Sequence, residues 1–540
     1  MDRRDFLRIS ALWATASALS ASSGEAQLKG NTGAKGARFD AVVIGSGLGG
    51  LSCAAYMAKH GMKVLVLEQH DVVGGYATTF TRDHGRFTFD VSLHQTALTG
   101  ATEAILKELG VLQKVEFLKG AELFRLVGNK LDITCPNADP KGFADLLVQR
   151  YPLQKDGING FMAEMLGVGE EVERLHAGGA LTWFRKATFP LNYPKLWAAR
   201  KKSLGDYLDK YVTDPELKSV LSVFCGYHGL PPSRLSGFYY LVATGGYFRA
   251  GGSYPRGGSQ AISNAIARFI ESKGGEIRTR TKVERVLVND GKIAGVGIGA
   301  DVIDARTVVA NCSAARLFNG MIPPEQVPED FREKLRGLKP SISSFNVWLG
   351  LNQDITGQLK NSHLFLVEEP DPEKSFQYCL EGREDKVPFS VAVYNNIYKD
   401  YSPPGTTVLS ITFSCGYDPW AQFETDYFAG RKHEYHARKE RIAQTLIKRV
   451  EEKLIPGLSQ MIAVQDAATP LTNVRYTLNE RGAIYGYEQI PENSFMYRLS
   501  NRTPIKDLYL ASAWGEPGGG YTGVLLSGKS TFGKVVEDAQ

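Results

Sequence analysis

Gly45, Gly47 and Gly50 stand in a G-x-G-x-x-G spacing, and Glu68 follows about 20 residues later. The first glycine lets the chain turn sharply out of a strand. The second lets a pyrophosphate approach the backbone, and the third lets the next helix pack on the strand. The flanks suit this chemistry: residues 41–44 are an apolar run of strand length, residues 51–60 have helical composition with Gly61 as a cap, and residues 63–67 form a second apolar run. Free N–H groups at the helix start would face a phosphate, and the Glu68 carboxylate would accept from ribose hydroxyls. The stretch is therefore expected to bind a dinucleotide. Gly295, Gly297 and Gly299 echo the spacing, but they lie among strands with no helix after them, so no second dinucleotide site is expected.

A second glycine-rich turn lies near the C-terminus. Residues 508–511 read as a strand, Gly518, Gly519 and Gly520 as a turn, and residues 524–537 as a helix whose N-terminus would face a ligand. His94, Glu516 and Tyr521 are candidate acid–base groups beside the two turns. Each also has a structural reading: a satisfied core histidine, a surface acid and a packing ring. The six cysteines are widely spaced with no C-x-x-C, so neither a zinc site nor a redox pair is indicated.

After Glu68 the chain reads Gln69-His70-Asp71-Val72-Val73-Gly74-Gly75, which resembles the extended FAD signature of the flavin amine oxidase and phytoene desaturase superfamily. The string from Glu68 to His94 is similar to the branch that holds bacterial phytoene desaturases, carotenoid isomerases and retinol saturases. Tyr76 departs from the basic residue often found after the glycine pair, and Ser512 from a glycine. The resemblance implies non-covalent FAD held by Gly45, Gly47, Gly49, Gly50, Glu68, Gly74 and Gly75, by Val283 through its backbone, and by Ala513, Gly518, Gly519, Gly520, Thr522 and Gly523. No Cys or His follows His436, so the C-terminal segment has no side chain for a covalent flavin link. The implied chemistry is desaturation, isomerisation or saturation at carbon–carbon bonds of a hydrophobic polyene or lipid-like substrate. Two alternatives stay open: an oxygen-using amine or amino-acid oxidase, and a non-enzymatic prenyl binder of the kind represented by Rab GDP-dissociation inhibitors.

The elements that must position these residues suggest an α/β protein. A Rossmann-like, glutathione reductase-like FAD-binding domain, with a mixed sheet and an antiparallel meander, is interleaved with an α+β substrate domain. The FAD domain would take residues 39–115, 250–335 and 476–540, and the substrate domain 116–249 and 336–475. Within the first, a helix with Ile262, Ile266 and Ile270 on one face precedes a meander turning at Asn289-Asp290-Gly291. Within the second, residues 343–351 and 407–415 read as strands and 435–454 as a long helix. Residues 226–255, rich in Gly and aromatics, read as channel lining or as ordinary core.

Residues 1–26, with Arg3-Arg4, Phe6-Leu7 and a moderately apolar run, read as a twin-arginine signal, with 27–38 as a linker. The mature chain is then expected in the periplasm or on the outer membrane face. There a quinone, a redox protein or oxygen would be the electron partner in place of soluble NADPH. Residues 181–208 interleave Trp183, Phe184, Phe189, Tyr193 and Trp197 with basic residues, which suits either peripheral membrane contact or a partly buried cap. The net charge of +5, without a dense basic tract, gives no sign of nucleic-acid binding.

Overall fold

The computed structural model describes residues 39–177 and 187–540. The expected signal and linker, and Trp183 and Phe184 of the aromatic–basic stretch, lie outside the described residues.

Strand β1 (Phe39–Ile44) leads through the first glycines into helix α1 (Leu48–Lys59), and β2 (Val64–Leu67) returns parallel to β1. Helix α1 begins at Leu48, earlier than the expected residue 51, with Gly47 as its N-cap in extended conformation. Gly49 and Gly50 thus lie in its first turn, where nothing protrudes to hold the helix off its neighbours. Residues from Leu48 to Ala58 are all buried, so α1 carries no polar face.

Two seven-stranded sheets organise the molecule. In the first, β1 lies between β2 and the strand Asp301–Ala310, and Glu276–Arg278 extends the parallel set beyond β2. Asp301–Ala310 begins in an antiparallel meander with Lys292–Ile298 and Arg285–Asn289, then enters the parallel sheet, where Leu508–Leu510 joins its other edge. The meander turns at Asp290 (φ 51°) and Gly291 (φ 72°), the paired positive φ angles of a tight hairpin. The meander begins at Arg285, and Val283, just before it, is packed in the core.

The second sheet runs, edge to edge, Ile462–Ala468, Ser343–Leu351, Thr407–Cys415, Phe389–Val393, His363–Leu366, Glu122–Val127 and Asp132–Pro136. Ser343–Leu351 is buried along its whole length, and its one side-chain amide, Asn346, is satisfied by Thr412 and Ser344. A helical layer between residues 140 and 250 covers one end. Its helix Gly237–Ala250 was not apparent from its Gly- and aromatic-rich sequence. Gly245 lets it close onto Lys155–Ala177, since a Cβ there would come within 3.2 Å of the Met165 carbonyl.

In the aromatic–basic stretch, the described rings are mostly packed inward. Phe189 is 0% and Tyr193 5% exposed, both in the helical core with Leu196. Trp197 is half-buried, with the Arg200 guanidinium 3.5 Å above its ring. Pro190 and Pro194 start two separate helical turns, Phe189–Asn192 and Pro194–Ala199. These turns direct Phe189 and Tyr193 inward, so neither ring is available to a membrane surface.

Candidate active site

At the end of β1 the backbone bends through Gly45 at φ +92°. Gly47 pairs with Gly74, which stands at φ +125°. Gly75 follows at φ +61°, its missing Cβ only 3.3 Å from the Gly47 Cα. The two glycine pairs therefore lie against each other with no side chain between them. Gly50 packs on the Gly45 carbonyl, where a Cβ would fall at 2.3 Å, so it closes helix on strand and does not itself line the cavity. Gly49 faces the Ala511 carbonyl in the same way, at 2.3 Å.

Glu68 directly follows β2, with its carboxylate buried. One oxygen accepts from the Ser46 N–H at 2.8 Å and the Ser46 hydroxyl at 2.6 Å, and the other accepts from the His70 N–H at 2.9 Å. Three donors fix the carboxylate at the cavity wall and leave it one further lone pair for a ribose hydroxyl. Asn311, directly after the meander strand, completes this end: its amide nitrogen donates to the Ala511 carbonyl at 2.5 Å. Neither Ser46 nor Asn311 was singled out in the sequence. The register that pairs Ile44 with Ala310 is what sets Asn311 beside Gly45.

The C-terminal turn holds Gly518 at φ +128° and Gly520 at φ +83°, and Gly520 caps the helix Tyr521–Ala539. The helix starts before the expected residue 524, which brings Thr522 and Gly523 into its first turn. No atom lies within 4 Å of a Cβ placed on Gly520, so that face of the turn is open. Gly518 is turned toward Gln489 and Tyr239, and the Tyr239 hydroxyl donates to the Gly519 carbonyl at 2.5 Å. Thr522 shares a hydrogen bond with Thr102 at 2.8 Å. Beneath the turn, Arg498 donates to the carbonyls of Ala513, Gly515, Tyr487, Glu488 and Asn493, at 2.6–3.3 Å. It is 3% exposed with no carboxylate partner, and burial pulls its pKa down to about 10.

Both turns open onto one cavity of about 1630 Å³, which Val283, Ala513, His94, Glu516 and Tyr521 also line. His94 Nε2 lies 3.3 Å from the Thr412 hydroxyl, and burial lowers the imidazole pKa to about 4, so the ring is neutral. The Tyr521 hydroxyl lies 3.2 Å from that of Ser92, and burial raises its pKa, so it stays protonated. Glu516 is a different case: its carboxylate takes the buried Lys534 ammonium at 3.0 Å, which commits it to an ion pair and withdraws it as a free proton carrier. Tyr227, His363 and Gln95 form a further polar group on the wall that the sequence did not bring together.

Comparison with known proteins gives the class. Residues 48–531 match the family described as flavin containing amine oxidoreductase, and the chain belongs to it. It is an FAD-dependent oxidoreductase, which closes the flavin-free alternative. The glycine cradle, the Glu68 carboxylate and the open helix N-terminus are chemically suited to the cofactor. A prolycopene isomerase of Daucus carota is 25% identical over 522 residues, 93% of this chain and 80% of that protein. An all-trans-retinol 13,14-reductase of Danio rerio is 27% identical over 518 residues, 87% of this chain and 82% of that protein. An oxidoreductase structure from Methanosarcina mazei, 18% identical, covers 92% of this chain and 99% of its own, with a TM-score of 0.59. A putrescine oxidase structure, at 15% identity, has the same TM-score of 0.59 with 92% and 99% covered. These two share the fold.

Proposed function

We propose that this flavoenzyme acts on carbon–carbon single or double bonds of a long, uncharged polyene. One observation carries the reading. Every carboxylate lining the cavity among the described residues is already engaged: Glu68 by Ser46 and His70, Asp71 by Arg280, Glu108 by Lys529, Glu173 by Arg249, Asp466 by Arg82 and Glu516 by Lys534. An amine substrate entering as an ammonium ion would find the only one of these carboxylates without a cation, Glu68, set aside for the ribose, whereas an apolar chain needs no anion. Relatives named for prolycopene and retinol agree with this reading.

The flavin supplies hydride removal or delivery at carbon. The protein's share is position and exclusion of water. The first turn of Tyr521–Ala539 points N–H groups at the open face of the turn, Glu68 holds the far end, and His94 and Tyr521 are neutral donors at the wall. We assign the cofactor to residues 39–115, 250–335 and 476–540, and the substrate to the remainder of the described chain. The twin-arginine pattern supports an exported enzyme that exchanges electrons with a quinone, a redox protein or oxygen, or that runs a redox-neutral isomerisation. Any peripheral membrane contact would rest on the basic face and Leu191, which is 81% exposed. Substrate-dependent peroxide is the test between classes: a polyene should be turned over, and peroxide formed from primary amines would refute the reading.

A further inference from the structure

One wall of the cavity carries a chain of polar groups whose hydrogen-bond direction is fixed from one end. The Leu123 carbonyl can only accept, so the Gln95 side-chain atom 2.9 Å from it is the amide nitrogen. That nitrogen also lies 3.1 Å from Nδ1 of His363, which therefore accepts and carries no proton. The His363 ring is neutral: burial, with the neighbouring His94, takes its pKa down to about 3 and outweighs a backbone interaction with Leu123 that favours protonation. A neutral imidazole with a bare Nδ1 holds its proton on Nε2. Nε2 lies 2.8 Å from the Tyr227 hydroxyl, so the phenol oxygen receives that bond and its own O–H is left to point elsewhere.

Tyr227 lines the cavity, and Phe224, Tyr247 and Phe365 pack around it with ring centroids 5.4–6.2 Å away. The titratable groups that act on it are other tyrosines, Tyr247, Tyr485 and Tyr394, and the adjacent imidazoles are neutral. A single directed O–H in an aromatic wall, with no cation beside it, suits an uncharged oxygen and disfavours a carboxylate. Tyr485 links this point to the cofactor end: its hydroxyl reaches the Gly226 carbonyl at 3.5 Å, and its Cα lies 3.1 Å from a Cβ placed on Gly519.

We propose that Tyr227, held by His363 and Gln95, donates its hydroxyl hydrogen bond to a hydroxyl or carbonyl oxygen on the otherwise apolar substrate. That oxygen anchors the end of the chain nearest the glycine turn. The inference rests on the apolar-substrate reading and adds to it that a pure hydrocarbon is the poorer ligand.

A matched set tests it: geranylgeraniol, geranylgeranoic acid and the C20 hydrocarbon lacking the hydroxyl, each titrated into FAD-replete protein and followed by the flavin absorbance change. The alcohol should bind roughly three- to tenfold more tightly than the hydrocarbon, with the acid no better than the hydrocarbon. Tyr227→Phe should abolish the difference while FAD content and hydrocarbon affinity stay the same. Equal binding of alcohol and hydrocarbon by the wild type, tightest binding of the acid, or a preference that survives in Tyr227→Phe would overturn the proposal and leave the apolar-substrate reading standing. Failure of all three to bind would overturn both.

Discussion

Asn311 ties the two glycine segments of the cofactor site together. Its Nδ2 donates to the Ala511 carbonyl at 2.5 Å, and its Oδ1 lies 2.5 Å from where a Cβ on Gly47 would fall. Gly47→Val therefore drives a branched side chain into Asn311 as well as into the phosphate path. The purified variant should lose its yellow colour. Gly49→Ala should be at least as damaging, because its Cβ would meet the Ala511 backbone carbonyl at 2.3 Å, which no rotamer change can relieve. FAD content per chain, measured after desalting, checks both, and stoichiometric FAD in either would contradict the site.

Glu68→Gln replaces one acceptor oxygen by an NH2 that faces either the Ser46 donors or the His70 N–H. One of these donors is then opposed by another donor and the charge assistance is lost, a penalty of about 1.5–3 kcal/mol. FAD affinity should fall by roughly ten- to a hundredfold, read by fluorescence titration of apoprotein. An unchanged dissociation constant would remove Glu68 from the ribose.

How much of this could be read in the chain follows from locality. The β1–α1–β2 unit, Glu68 and the C-terminal turn were legible because strand period, glycine spacing and the acid all fall within short windows. Gly50 was legible as the glycine that closes helix on strand, because the Gly45 carbonyl it faces lies in the same turn, whereas Gly518 was legible only as a glycine, since Gln489 and Tyr239 come from other segments. Asn311 and the Gln95–His363–Tyr227 chain were hidden because each is a lone polar residue whose partners lie far off in sequence. The helix Gly237–Ala250 was missed because Gly and aromatic residues are poor helix formers in isolation, and burial against Lys155–Ala177 overrides that preference. Phe189 and Tyr193 looked interfacial by composition, yet the two proline-started turns bury them.

Stability should fall on acidification through a defined window. His94, His228 and His363 are held neutral by burial, with pKa values lowered to about 4, 3 and 3. Below about 6.5 the unfolded chain takes up protons on these residues that the folded chain refuses. Stability is therefore fully present above about 6.5 and declines as pH drops toward 4 and then 3, by about 1.4 kcal/mol per pH unit for each histidine. Denaturant midpoints between pH 7.5 and 4.5 check this, and a flat profile would contradict it.

Arg498 should behave as a structural cation. Arg498→Met leaves buried carbonyls of Ala513, Gly515 and Tyr487 without a donor, and it should cost on the order of 3 kcal/mol. It should also loosen the FAD turn. Arg498→Lys keeps the charge but not the planar fork that reaches several carbonyls, so it should be intermediate. Urea midpoints together with FAD retention would show this order, and a fully stable, flavin-replete Met variant would refute it.

The claim that the flavin works on carbon–carbon bonds of an uncharged polyene is tested most directly by product mass. FAD-replete enzyme would be incubated with a C20 or C40 polyene under argon, with and without a quinone, and the extract examined by mass spectrometry and chromatography. The account predicts a product two hydrogens lighter when the quinone is present, or a geometric isomer of unchanged mass. Untouched polyenes, alongside primary amines that bleach the flavin and yield peroxide on reoxidation, would contradict it.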